Sequence, residues 1–267
     1  MEPNADVGME VRTYFVREKN ALLARADFGE IYADLLLHEV DGGISHPPQF
    51  ETLLRDALAA LTLHCASRPM AEVWAWTIHT QDPLANVFVT GDNTHGTITG
   101  TVFAEDVKDT GRNLLFAQCL GNDRNSTIEF SGSNLLAAVE KFYTQSEQRP
   151  ARFFHHGPED IVMITAQPDC DLAWLSGLDD AQIITLDQNA NLSLLETRNY
   201  RFFCGCTHDR MMDVLLPVMR TDSEGLFGEE VSIRMRCPRC GIRHLITREA
   251  MEAHLAHANP DSMGNEK

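Results

Sequence analysis

The sequence predicts an α+β fold: an antiparallel-sheet N-terminal core with packed helices, a short linker segment, and a small C-terminal domain built on four cysteines. Three observations lead there. Between residues 73 and 165 short apolar stretches of strand length follow one another, with turn residues between them. Two longer stretches, 50–67 and 134–148, repeat their apolar residues at helical spacing instead. Cys204-Gly205-Cys206 is answered thirty residues later by Cys237-Pro238-Arg239-Cys240, two close thiol pairs in one small region.

The elements follow in order. Residues 12–26 mix β-branched and aromatic side chains with charges and predict a strand, and a helix follows from Phe28 through Leu35, Leu36 and Leu37. Gly42, Gly43, Pro47 and Pro48 break the chain. From Phe50 to Ser67, Leu53, Leu54, Ala57, Leu58, Leu61 and Leu63 predict a buried helix. Residues 73–78, 85–89 and 97–102 read as an antiparallel meander, separated by Gln81-Asp82-Pro83 and Gly91-Asp92-Asn93. Two more strands are expected over 114–120 and 126–130, turning at Gly121-Asn122-Asp123. Leu135, Leu136, Val139, Phe142 and Tyr143 share one face of a helix stopped by Pro150. Strands over 152–156 and 161–165 complete the core, in which the adjacent His155 and His156 face opposite ways and do not form a metal pair.

The expected organisation is a core domain over 1–165, a linker over 166–200, a terminal domain over 201–259 and a tail over 260–267. The linker carries Pro168 and scattered apolar residues (Leu172, Trp174, Leu175, Leu178, Ile183, Ile184, Leu186), too apolar for a free tether and too broken for a core. Modest burial should make it easy to release. In the terminal domain a short helix over 209–216 should end at Pro217. A strand over 230–236 should turn Val231, Ile233 and Met235 inward, and an amphipathic helix should run over 248–257.

Composition excludes several classes. Of 267 residues, 43% are hydrophobic and 23% charged, without the eighteen-residue apolar run of a membrane span. The stretch Met1 to Glu10 has neither a basic patch nor an apolar core, so no signal peptide and a cytoplasmic location are expected. The net charge of −17 is concentrated before residue 201, where 29 acidic residues face 13 basic ones. Such a body is a poor partner for phosphate backbones, which argues against nucleic acid. No Gly-x-Ser-x-Gly, His-Glu-x-x-His or phosphate loop occurs, and no catalytic residue is expected.

Seven cysteines in a reducing compartment fit metal ligands and free thiols rather than a disulfide framework. Cys204, Cys206, Cys237 and Cys240 would supply all four positions of a zinc tetrahedron, leaving none open for water, so the metal is expected to be structural. Some fifty-five residues bury little core, and bound zinc would add on the order of 10 kcal/mol of folding energy. A disulfide between cysteines one residue apart would be strained and labile, so two readings stand together: a ribbon with purely structural zinc, serving an adaptor or nucleic-acid-binding module, and a redox sensor. Arg234, Arg236, Arg239 and Arg243 beside the second pair, and Arg201, His208 and Arg210 beside the first, are expected to favour thiolates. Cys65, Cys119 and Cys170 read as inert, the last because Asp169 and Asp171 flank it.

The cysteine quartet and its spacing resemble the zinc signature of the heat-shock protein 33 family. The stretch from Ala137 to Pro150, ending Ser146-Glu147-Gln148-Arg149-Pro150, and the meander from Gln81 to Val102 are similar to that family as well. The resemblance implies a redox-regulated holdase chaperone of the cytoplasm, not an enzyme, that binds one zinc ion per reduced chain through Cys204, Cys206, Cys237 and Cys240. It implies that oxidation pairs Cys204 with Cys206 and Cys237 with Cys240 and expels the zinc. The oxidised protein would then dimerise and hold unfolding client proteins under oxidative stress, protecting them from aggregation.

Overall fold

The computed structural model describes residues 8–258; the expected tail, residue 259 and residues 1–7 of the expected core domain lie outside the described residues. Among the described residues twelve strands and nine helices follow one another: β1 Met9–Val16, β2 Ala21–Asp27, α1 Gly29–Asp41, α2 Pro48–Ala66, β3 Val73–Gln81, β4 Leu84–Asp92, β5 Thr97–Phe103, β6 Asn113–Leu120, β7 Asn125–Phe130, α3 Leu135–Gln145, β8 Ala151–His155, β9 Asp160–Ala166, α4 Leu172–Gly177, α5 Asp180–Ile184, α6 Leu186–Asn189, β10 Leu192–Phe202, α7 His208–Thr221, α8 Ser223–Phe227, β11 Ser232–Arg236, β12 Arg243–Thr247 and α9 Arg248–Ala258. This is the α+β architecture expected.

Ten strands form one sheet in the order β7-β6-β3-β4-β5-β10-β1-β2-β9-β8, antiparallel throughout except where β10 lies parallel to β5. The stretch 12–26, expected as one strand, is a hairpin. Its turn places Glu18 and Asn20 at positive φ, where the polar residues 17–20 have no apolar face to bury. Helix α2 lies across this sheet and is buried on most sides, because α3 packs on it from the other side. In its last turn His64 sits among Trp74, Trp76, Phe142 and Tyr143, its Nδ1 2.8 Å from the Tyr143 hydroxyl. Burial holds that imidazole well below its ordinary pKa, hence neutral. Among the described residues no helix is long and apolar enough to cross a membrane.

The expected linker divides into two parts of different character. Helices α4, α5 and α6 bury Leu175, Leu178, Ile183 and Leu186 on a second apolar cluster formed by Val16, Leu23, Phe154, Val162 and Ile164. Asp171 caps α4 through the Trp174 amide, and Asp179 forms a capping box with Gln182. Residues 192–200, by contrast, form most of β10 and run along β1, while the last two residues of that strand, Arg201 and Phe202, pair with β5. A register shift opposite Thr13 and Tyr14 leaves Leu195 without a partner. That bulge interrupts the alternation by which the strand would have been legible.

In the terminal domain β11 and β12 form a hairpin that α7 and α9 cover. Two expectations fail there. Helix α7 continues through Pro217 to Thr221, since Met219 extends the buried face begun by Met211 and Met212 and its burial offsets the missing hydrogen bond. Val231 is 77% exposed, because β11 begins only at Ser232; Ile233 and Met235 do turn inward.

Candidate metal centre

The four cysteines arrive from two directions. The first pair follows directly on the sheet: β10 ends at Phe202, and Phe203 N–H still bonds to the Ile98 carbonyl at 2.9 Å. Gly205, at φ +66, then turns the chain between Cys204 and Cys206; a Cβ there would lie 2.9 Å from the Phe203 ring. Arg210 donates to the Gly205 carbonyl at 2.8 Å, and Thr207 caps α7. The second pair is the turn between β11 and β12, closed by Cys237 N–H to the Ile242 carbonyl at 2.8 Å and Gly241 N–H to the Cys237 carbonyl at 2.9 Å.

One candidate ligand atom from each of the four residues lies within 4.8 Å of all the others. Across the pairs, Cys204 Sγ is 3.7 Å from Cys237 Sγ and Cys206 Sγ is 3.4 Å from Cys240 Sγ. Four thiolates about 2.3 Å from a tetrahedral zinc ion would stand about 3.8 Å apart, so the donor set and its spacing fit that metal. Cys204, Cys237 and Cys240 are buried and Cys206 is half-buried, and all seven cysteines of the chain are free thiols.

The electrostatics point the same way. Cys237 is held well below the ordinary thiol range because Cys204 and Cys240 both donate to its sulfur. Cys204 is raised chiefly by its bond to Cys237 and Cys240 chiefly by its bonds to Cys204 and Cys237, and Cys206 is pushed up to about 12 chiefly by burial. Four thiolates this close together would require positive charge, which a bound cation would supply.

The arginines are not placed as the sequence suggested. Arg236 donates Nη2 to the Val102 carbonyl at 3.2 Å and lies over the Phe103 ring, and Arg239 donates to Thr90 Oγ1 at 3.1 Å. Arg201 stacks on Phe203. They bind the core sheet and neighbouring rings, and sulfur and backbone contacts govern the thiols. Beside the second knuckle His38 lies against Phe202, its ring centroid 5.2 Å away, and burial lowers its pKa; nothing in the sequence marked this residue. Cys65 and Cys119 are fully buried, as expected, and burial raises Cys65 far above the ordinary range. Cys170 is raised too, chiefly by burial and only secondarily by Asp171.

Comparison with known proteins bears on the same region. A family described as Hsp33 protein matches residues 170–247, from just before α4 to the end of β12. The 33 kDa chaperonin of Edwardsiella ictaluri is 28% identical over 169 residues, which is 54% of this chain and 58% of that protein. The chain is similar to the Hsp33 family. The 33 kDa chaperonin of Proteus mirabilis is 23% identical over 247 residues, 76% of this chain and 83% of its own. The Hsp33 homologue of Thermotoga maritima, in its crystal structure, superimposes with a TM-score of 0.71 at 14% identity, over 96% of this chain and all of the other. At that identity the likeness speaks for the fold. The Hsp33 match to the Edwardsiella protein thus spans less than two thirds of that relative's length.

Proposed function

We propose that this chain is a holdase chaperone whose capture surface is uncovered when its four terminal cysteines are oxidised. The observation that carries the reading is the convergence of Cys204, Cys206, Cys237 and Cys240 within 4.8 Å, in a chain whose relatives bear chaperonin names. Cys204, Cys206, Cys237 and Cys240 would hold zinc, which when bound supplies the positive charge the thiolates need and the folding energy a small domain lacks.

The chain's own chemistry does the rest. Cys204 with Cys206, and Cys237 with Cys240, each lose two electrons and two protons as one S–S bond forms. For each pair one peroxide takes up the two electrons and two protons, breaks its O–O bond and leaves as two waters. The sulfurs so bridged no longer ligate, and the terminal domain loses its cohesion. The α4–α6 segment then lifts from Val16, Leu23, Phe154, Val162 and Ile164, an apolar surface suited to unfolding chains. Two oxidised copies associate through such surfaces. No bond of the client is made or broken, so the chain acts as a binder and not as an enzyme, in the cytoplasm where thiols start reduced. The reading as a nucleic-acid module is weakened because Arg236 and Arg239 are spent on the chain's own core.

Hydrogen peroxide with mild heat should release about one zinc per chain, and the treated protein should suppress aggregation of a thermally unfolding client. Equal protection by reduced and oxidised protein, or retention of zinc after all four thiols are lost, would overturn the proposal.

A further inference from the structure

The terminal domain is attached to the sheet covalently through β10, but it is also docked on it through the second cysteine knuckle. Arg236 and Arg239 bracket that knuckle: one immediately precedes Cys237 and the other immediately precedes Cys240. The first reaches the end of β5, bonding the Val102 carbonyl and lying 4.4 Å from the Phe103 ring centroid. The second reaches Thr90 on β4. Between these anchors Gly241, at φ +81, approaches β5 so closely that a Cβ would stand 2.7 Å from Thr101 Oγ1. Ile242 meets Gly42 just after α1, where a Cβ would stand 2.9 Å from Ile242 Cγ1.

We infer that Arg236 and Arg239 form a clasp that seats the second knuckle on the β4–β5 face, making them positioning residues through which the state of the cysteine quartet is felt by the core. The physical case is geometric. Both guanidinium groups can span the gap only while Cys237 and Cys240 hold the turn, because their backbones are the ligand-bearing turn itself. An arginine bonded to a carbonyl and stacked on a ring keeps its position far better than a lysine would. Thr90 is 5% exposed, so the bond Arg239 makes to it is sheltered from water. The clasp rests on the same quartet as the proposed function but does not depend on chaperone activity.

The test uses the full-length, zinc-loaded, reduced chain and reads undocking, not client protection. Limited proteolysis at the Phe203–Thr207 connection, followed by mass spectrometry with zinc content measured in parallel, reports it. Arg239→Ala and Thr90→Val each remove one end of a single bond and should speed cleavage about ten- to a hundredfold, the range for a hydrogen bond to a charged group. The double variant should cleave no faster than either single one, the signature of two residues in one interaction. Arg236→Lys should not restore the wild-type rate, since the ring stacking is lost. Thr90→Val keeps the terminal domain intact, so it remains informative if an arginine variant folds poorly. Additive effects of Arg239→Ala and Thr90→Val, or no effect of Thr90→Val while zinc stays bound, would overturn the clasp whatever the outcome of the chaperone assay.

Discussion

A carboxyl group taken out of water keeps its proton longer, and Asp56 on α2 is in that position. Burial raises its pKa to about 6, with His155 opposing only weakly. The unfolded chain titrates near 3.9, so between about pH 4 and 6 the folded state binds more protons, and stability falls as pH rises through that window. Above it the ionised carboxylate is a constant penalty. Two units correspond to about 3 kcal/mol, reduced to roughly 1–2 kcal/mol because Asp56 is only half-buried and partly screened. Asp56→Asn should therefore stabilise the protein by about 1–2 kcal/mol at pH 7.5 and leave it unchanged at pH 4. Urea unfolding at the two pH values checks this, and a gain of equal size at both would show that packing, not charge, is responsible.

At the scale of elements, α4, α5 and α6 have six, five and four residues, too short to persist without tertiary support. Leu175, Leu178, Ile183 and Leu186 supply it, with Lys19 bonded to Asp171 at 2.8 Å and Arg152 to the Ser176 carbonyl at 3.1 Å. Leu175→Ala should weaken this cover by about 2–4 kcal/mol while costing the sheet little, because the sheet's hydrogen bonds do not pass through it. Hydrogen exchange should accelerate across residues 172–186 and stay slow in β3, β4 and β5; uniform acceleration would mean the cover is part of the core. What could be read beforehand follows the same divide. Helices α2 and α3 and the β3–β7 meander repeat their apolar residues with a clean period, and the convergence of the four cysteines was legible in their paired spacing. Strand β10 was not, because its partners lie far off in the chain and the bulge at Leu195 leaves Leu194 and Leu195 both 57% exposed. Nor was the clasp: a row of arginines beside thiols reads as charge for the thiols until the fold shows Val102, Phe103 and Thr90 in front of them.

Over the whole molecule, two cores of unequal strength meet at the end of one strand. The large core lies between α2 and the sheet. The terminal core consists of Met211, Met212, Met219, Met251, Phe227 and Ile246 with Cys204, Cys237 and Cys240, so a third of its buried residues are also candidate metal ligands. Methionine fills space without fixing it, and the thiols, once unligated, must be protonated in place or move to water. Beyond the end of β10 the Phe203 N–H bonds the Ile98 carbonyl, and the ladders of β1 to β10 otherwise pair these strands with one another. Chelation of the metal in the reduced chain should therefore melt residues 204–258 and leave the β1–β10 sheet folded. Circular dichroism should lose the helical signal of α7, α8 and α9, and zinc and that signal should disappear together in a chelator titration. Tryptophan emission separates this event from a wider collapse, since Trp74 and Trp76 are buried beneath α2 and Trp174 lies in the α4 cover beside Lys19. An unchanged emission would mean that the terminal domain unfolds with the cover still seated, and a change abolished by Trp174→Phe would mean that the cover follows it. Loss of β3–β5 exchange protection in step with zinc would instead make the molecule one cooperative unit, and the division into two cores would fail.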